Sequence, residues 1–466
     1  MSILGKIKSR YSIEGGYKEF LTLAVPLAVS TGINAIQLFT DRIFLFRYSQ
    51  EAFAASTPAG GTEWVIECFF FGILAYANVF VAQYHGKKEY RSIGHVMWQS
   101  VYLAAAAAFI ALCISFFAKP FFMNIGHPHN IVSQEITFFK VLCYGAFPST
   151  LNAALAGFYS GRGKTKTVLM ASICGVALNI ILDYCLIFGN FGFNEMGIVG
   201  AAWATNISLG VVTIIYIFLI ASKKNSNIYN TRCMKIDFAL IKRFLRYGVP
   251  NGTEFFFDVA GFTIVTLIVG NIGAEELAVN NVVSTVNHMI CMPVVGFGMA
   301  TSAMVGNYLG KNKASIAQES IKSSMHITYI YALLAVLALI FFPDWLISLF
   351  SGGAQATLVE HVRPTIVNLF IILAIYFVFD AANIIFASAI KGAGDTVFVM
   401  KRLLLFSLFL VIIPTYVGIM IFKRGVYTAW VCLLSSVVAL AISFYFRYKS
   451  NKWKKMRVIE MNIVDE

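Results

Sequence analysis

Charge is what this chain has little of: 13% of its 466 residues are Asp, Glu, Lys or Arg, against 58% hydrophobic, and its mean hydropathy is +0.74. Soluble globular chains carry charge on about a quarter of their residues, so that class is excluded. The eight cysteines form no C-x-x-C pair, and all but Cys233 fall in apolar stretches. That argues against a zinc or dithiol centre and leaves them as packing residues. No Walker loop, no G-x-G-x-x-G at a strand-to-helix junction and no Ser-His-Asp set in an aqueous domain is present, so ATP-driven pumping, dinucleotide chemistry and hydrolysis lack their motifs. We expect no enzyme and no organic cofactor. The N-terminus has no apolar core ending in a small-residue cleavage site, so the first apolar run is expected to be retained. His127 and His129 flank Pro128 without further ligands at metal spacing, and read as loop decoration.

What the chain does contain is apolar runs long enough to cross a bilayer, which takes about 20 residues each. Twelve are expected, near 20–41, 60–84, 93–118, 133–160, 167–189 and 197–221, then 240–269, 277–308, 316–342, 357–390, 397–421 and 426–447. The basic residues are strongly skewed: 29 of the 36 Lys and Arg lie at span ends facing the side of the N-terminus. By the positive-inside rule both termini are expected in the cytoplasm. The formal charge of +13 therefore reads as an orientation device in a lipid bilayer, with no nucleic acid as partner.

The halves repeat. A shift of 224 residues carries Pro26 onto Pro250, Glu51 onto Glu275, Gly72 onto Gly296, and VAQYHGK at 81–87 onto VGNYLGK at 305–311. A shift of 231 carries Asn152 onto Asn383 and Gly161 onto Gly392. The fold expected is all-α and polytopic, twelve transmembrane helices in two six-helix lobes related by a pseudo-two-fold axis along the membrane normal. Its parts are a cytoplasmic N-terminal segment (1–17), an N-terminal lobe (18–221), a cytoplasmic linker (222–239), a C-terminal lobe (240–447) and a basic tail (448–466). Pro26 and Pro250 sit inside the first span of each lobe, where a proline frees a carbonyl and favours a bend, so both are candidate hinges.

Polar groups inside the spans mark the candidate site. Ser30, Asn34, Gln37 and Asp41 recur at spacings of four, three and four, one stripe of a helix that otherwise reads as lipid-soluble. A carboxylate within a span costs roughly 2.5 to 3.5 kcal/mol even on the lenient insertion scale, which makes Asp41 a functional candidate; the alternative is that it ends the helix and neutralises Arg42. Asn179 and Asp183 lie four apart on the fifth span, as do Glu254 and Asp258 on the seventh. At 1.5 Å per residue Asp41 and Asp183 stand roughly 34 and 24 Å from their cytoplasmic ends, and Asp380 on the tenth span roughly 16 Å, near the midplane. Glu63 and Glu67, again four apart, lie at the depth of Asp41 and Arg42, where a local ion-pair cluster is the plain alternative to function. Lys140 is expected to snorkel to the outer interface.

Taken together, Pro26 followed by FTDRIF, LNIILDYCLIFG, GIVGAAWATNIS, GVPNGTEFFFDVAGF and FDAANIIFASAIKGAGDT resemble the multidrug and toxic compound extrusion (MATE) family from about Tyr17 to Phe446. The resemblance implies secondary antiport, with H+ or Na+ driving export of organic, often cationic or aromatic, compounds across the cytoplasmic membrane. It implies a cation-coupling site, or metal site if sodium is used, at Asp41, Asn179, Asp183 and Thr205. A substrate or second cation site is implied at Asp258 and Asp380, to which the residue reading adds Glu254, Gln37 and Asn34. Arg42 departs from the family pattern, where a small or hydroxyl residue is common. The partners expected are a small organic molecule and the bilayer, with the chain acting as a monomer. Two rivals stand beside this reading. A flippase for lipid-linked saccharides would place Arg or Lys in its cavity to meet phosphate, and a membrane scaffold would need no matched acids in its two lobes.

Overall fold

The computed structural model describes residues 10–124, 128–348 and 356–460. Residues 1–9 and 461–466 of the two terminal segments, and His127, lie outside it. Among the described residues there is no strand. Eleven helices among the described residues are long and apolar enough to cross a membrane, and a bent pair, His129–Tyr144 and Ala146–Ser160 meeting at 43°, makes twelve when taken as one span. Helices are the form required, because in hydrocarbon every backbone N–H and C=O must be satisfied within its own segment. Their outer faces suit lipid alone: Phe109, Phe116, Ile214 and Phe218 are each 65% to 79% exposed.

The chain is thus all-α with two six-helix lobes, and most span ends fall within a few residues of those expected. The exceptions are the first two spans, which run Tyr17–Tyr48 and Gln50–Gly86. The stretch 49–61 looks like a loop by composition, but Ser49 accepts hydrogen bonds from the backbone of Glu51 and Ala52. That side chain caps the helix early. Both hinge candidates, Pro26 and Pro250, lie inside continuous helices.

The bend in the fourth span has a local cause. Pro148 has no N–H to donate, and the Gly145 N–H pairs with the Leu142 carbonyl at 2.8 Å, so the Val141 carbonyl is left over. Asn206 of the sixth span, Gly197–Ala221, fills the gap, its amide nitrogen donating to Val141 at 2.5 Å. Gly145 makes room for it, since a Cβ there would stand 1.9 Å from the Asn206 side-chain oxygen.

Two compact units emerge from the packing. One joins the chain up to Ala28 to Phe257–Arg457; the other joins Val29–Phe256 to the residues from Val458 onward. The boundaries at Ala28/Val29 and Phe256/Phe257 fall a few residues beyond Pro26 and Pro250. In the second unit Gly72 of the second span lies against Asn251 and Gly252 of the seventh, and a Cβ on Gly252 would stand 2.3 Å from the Phe69 carbonyl oxygen. In the first unit Gly296 of the eighth span lies against Leu27 and Ala28 of the first, where a Cβ would stand 2.5 Å from the Ala28 backbone. Gly72 and Gly296 are repeat mates, so each half uses one glycine to bring a helix backbone against the residues just past a proline. Close approach through small residues is the usual glue of helices in lipid.

The linker is more than a polar tether. It holds a helix, Lys223–Tyr229, and is sewn to the third span, Tyr90–Ser115: Trp98 donates to Thr231 O at 2.7 Å, Gln99 to Lys235 O at 3.0 Å and Tyr102 to Met234 O at 2.5 Å. Arg162 stacks beside it on Phe158 and Tyr229, at 3.7 and 4.3 Å from the ring centroids. Burial pulls that guanidinium below its ordinary value, and the Tyr229 hydroxyl partly offsets the effect.

Gly252→Leu should therefore lower the thermal midpoint of the purified protein, at a cost of about 1 to 3 kcal/mol as expected of overpacking. Gly61→Ala, at a position with nothing within 4 Å of the new methyl, should leave it unchanged or slightly higher. Equal midpoints in scanning calorimetry would refute the close packing of the second and seventh spans.

Candidate functional site

The polar stripe of the first span meets the fifth span, Thr165–Phe188, at two levels. Ser30 and Ser172 share a hydrogen bond of 2.6 Å, and about three turns further on the Asp41 and Asp183 carboxyls lie close enough to act on each other. Phe44 packs edge-on against Phe188 and tilted against Tyr184 beyond them. The first and fifth spans are therefore neighbours, and the two acids meet as their depths suggested.

Asp183 and Asn179 are fully buried. Neither oxygen of Asp183 has a hydrogen-bond partner, nor does Oδ1 of Asp41, and both ends of the Asn179 amide are likewise unpartnered. Each buried polar group left without a partner costs about 1 to 3 kcal/mol, so this concentration on one helix face is a chemical signal. Carboxyl and amide oxygens are hard donors. The set fits a proton or a small hard cation. Thr205, implied as a neutral ligand, spends its proton on the Ala201 carbonyl at 3.2 Å and keeps only acceptor capacity. Arg42 is exposed and reaches Asp41 through charge, without a hydrogen bond. Further back along the stripe Gln37 is half-buried and Asn34 exposed.

The second group of acids divides. Asp380, 7% exposed, accepts hydrogen bonds from the Cys291 thiol at 3.6 Å and from the Asn383 amide at 3.3 Å. Asp258 belongs to the same compact unit and acts electrostatically on Cys291 and Tyr376, the groups that also feel Asp380. These two acids share a neighbourhood. Glu254, one turn before Asp258, falls in the other unit. Cys291, Asn383, Ser172 and Ser149 were not legible as site residues, because small neutral side chains in apolar runs look like packing.

Glu63 and Glu67 differ from the ion-pair alternative. The two carboxyls lie close enough to act on each other, and Ser149 of the fourth span is beside Glu67. Lys140 is half-buried and lines a small pocket with Phe109, Phe116 and Tyr144.

Two six-helix lobes with carboxyl groups deep in their spans define a multi-pass membrane transporter. The MatE family model matches residues 26–185 and 250–417, and the chain belongs to that transporter family. It is 26% identical over 452 residues, 94% of this chain and 95% of the relative, to a Listeria monocytogenes protein named "Probable multidrug resistance protein NorM". Among solved structures it is similar to a MOP superfamily transporter from Pyrococcus furiosus, with TM-score 0.85, 19% identity and 94% and 97% of the two chains covered. It is also similar to an outward-facing multidrug resistance MATE family transporter, with TM-score 0.83, 19% identity and the same coverage.

If the first and fifth spans meet as described, Ser30→Ala and Ser172→Ala should each destabilise the protein by about 0.5 to 1.5 kcal/mol. The double variant should lose little more than either single one. Fully additive losses in a double-mutant cycle would show that the two hydroxyls do not interact.

Proposed function

We propose that this protein is a cation-coupled antiporter that exports organic, cationic or amphipathic aromatic compounds across the cytoplasmic membrane, with both termini in the cytoplasm and one chain as the working unit. The observation that carries the reading is the Asp41–Asp183 carboxyl pair, with Asn179 beside it and no ordinary donor to satisfy it. The names of the relatives, which speak of multidrug resistance, support organic compounds as cargo.

The mechanism follows from charge. With both acids ionised the N-terminal lobe attracts a cation; a proton or Na+ taken up from outside cancels that charge, and the free energy of the first span then changes with occupancy. The span can respond at Pro26, where no N–H ties the helix to the preceding turn. Asp258 and Asp380 offer negative charge in the other lobe to a cationic substrate. A flippase for phosphate-bearing saccharides fits less well, because the deep groups are acids.

Proteoliposomes loaded with a fluorescent organic cation and given a pH or Na+ gradient test this directly. Asp41→Asn and Asp183→Asn should each abolish gradient-driven efflux while retaining some substrate binding, and Arg42→Ala should be milder. Undiminished antiport in Asp41→Asn would rule the coupling site out.

The same assay separates the lobes. Asp258→Asn combined with Asp380→Asn should weaken binding of a cationic substrate more than that of a neutral one, since only the former loses its counter-charge. Unchanged efflux at normal expression would end the C-terminal assignment.

A further inference from the structure

One end of the fifth and sixth spans, the end that the orientation proposed above puts in the cytoplasm, gathers cations that the coupling site leaves unused. Lys164 stands at the start of the fifth span and Lys166 in its first turn, while Lys223 and Lys224 follow the last turn of the sixth, and all four are exposed. No Asp or Glu occurs from 136 to 182 or from 196 to 236. Among the described residues none of the four lysines is paired with an acid.

A groove of about 270 Å³ runs between the two spans from that end, lined by Lys166, Met170, Ala171, Cys174, Ile215 and Leu219. Lys166, Met170 and Cys174 recur every four residues, as do Ile215 and Leu219, so the groove follows one face of each helix from a charged mouth to an apolar floor. Met170, Cys174 and Leu219 are exposed, as is Phe218 beside them, which places the opening on the lipid-facing surface. Asn225 fixes the chain that leaves the sixth span: it accepts from Arg162 at 3.2 Å and donates to the carbonyl of Leu219, a groove residue, at 2.9 Å. Lys223 and Lys224 are therefore held at the mouth.

The internal repeat shows the same helix pair with its charges matched. The shift of 231 carries Lys164 onto Asp395 and Thr167 onto Phe398. Asp395, at the start of the eleventh span, pairs with Arg447 in the last turn of the twelfth at 2.6 Å. The Arg447 guanidinium also lies 4.7 Å from the centroid of the Phe398 ring. The eleventh and twelfth spans thus bridge that end with an ion pair, whereas the fifth and sixth present cations alone.

We propose that the fifth and sixth spans form a binding site for an anionic phospholipid, with its phosphate at Lys166, Lys223 and Lys224 and part of one acyl chain in the groove. Unpaired cations at a membrane surface attract an anion, and an apolar groove at hydrocarbon depth is filled by a chain. A soluble anion would leave the groove empty, and a zwitterionic lipid would leave the lysines without net counter-charge. The proposal shares with the transport reading only the side of the membrane on which the lysines lie. Its test is made in detergent, which has no sides, so either can fail without the other.

The test is native mass spectrometry of the full-length protein in mild detergent, titrated with phosphatidylglycerol and with phosphatidylcholine of the same chains. One phosphatidylglycerol should be retained in preference to phosphatidylcholine. Lys166→Gln, and Lys223→Gln combined with Lys224→Gln, should weaken that retention by about fivefold for each lysine removed, with phosphatidylcholine unaffected. Cys174→Trp, which fills the groove and leaves every charge in place, should weaken it as well. Lys401→Gln, near the same end of the eleventh span, should change nothing. Equal retention of the two lipids by the unaltered protein overturns the proposal, and so does a loss in Lys401→Gln as large as that in Lys166→Gln, the mark of a diffuse basic belt. A dimer that Cys174→Trp dissociates would give the groove to a second copy of the chain and overturn it too. Should the variants fail to fold, phosphatidylglycerol bearing a diazirine on its acyl chain is photolysed on the unaltered protein. Adducts within 166–174 or 215–219 in excess of those from the matching phosphatidylcholine support the site; equal adducts from the two, or adducts only elsewhere, refute it.

Discussion

The controlling constraint is the cost of leaving a polar group unmatched in apolar surroundings. A buried donor or acceptor without a partner forfeits about 1 to 3 kcal/mol, and a charge within a span forfeits more, so several interior polar groups of this protein occur in company. Ser30 meets Ser172, Asn206 meets the Val141 carbonyl that the bent fourth span leaves over, and Asp380 meets Cys291 and Asn383. Against that background the Asp41–Asp183–Asn179 group stands out, because its partners within the protein are fewer than its oxygens and nitrogens. A transporter needs such a deficit: a site fully satisfied by its own protein has no reason to bind and release a cation.

The same constraint bears on the proposed hinges. A helix in lipid cannot give up backbone hydrogen bonds without replacement, so flexibility must be placed where a bond is already missing. Pro26 and Pro250 supply that place in the first span of each half, and the packing boundary between compact units lies a few residues beyond each. Gly72 and Gly296 then hold the neighbouring backbone so closely that no side chain intervenes. In the mechanism proposed above, a rigid contact beside a weak point would convert a local charge change into movement of a whole segment.

Much of this was legible in the sequence because membrane spans and charge obey simple rules. Twelve spans, the repeat, the two prolines and the acids at 41, 183, 258 and 380 all follow from hydropathy, spacing and the rarity of carboxylates in apolar runs. Span ends were misjudged where composition mimicked a loop, as at residues 49–61, since a single serine cap outweighs a glycine-rich stretch in lipid. The linker looked like a tether because backbone carbonyls leave no trace in sequence, yet it is to Thr231, Met234 and Lys235 carbonyls that the third span bonds. Partners of the acids stayed hidden for a related reason. Ser149, Ser172 and Cys291 are ordinary residues whose meaning comes from what stands opposite them.

The repeat also explains why the two lobes should not share one task. Under the shift of 224, Asp41 falls on Val265 and Asp258 on Asn34; under that of 231, Asp380 falls on Ser149. The scaffold is duplicated, but each deep acid has a neutral mate. Two identical lobes would bind the same ion with the same affinity, and binding in one could not be set against release in the other. With the acids displaced from one another, the lobes differ in which charges they hold and on which helices, as the proposed coupling of a cation to a cationic substrate requires. Only such a difference lets one gradient drive another.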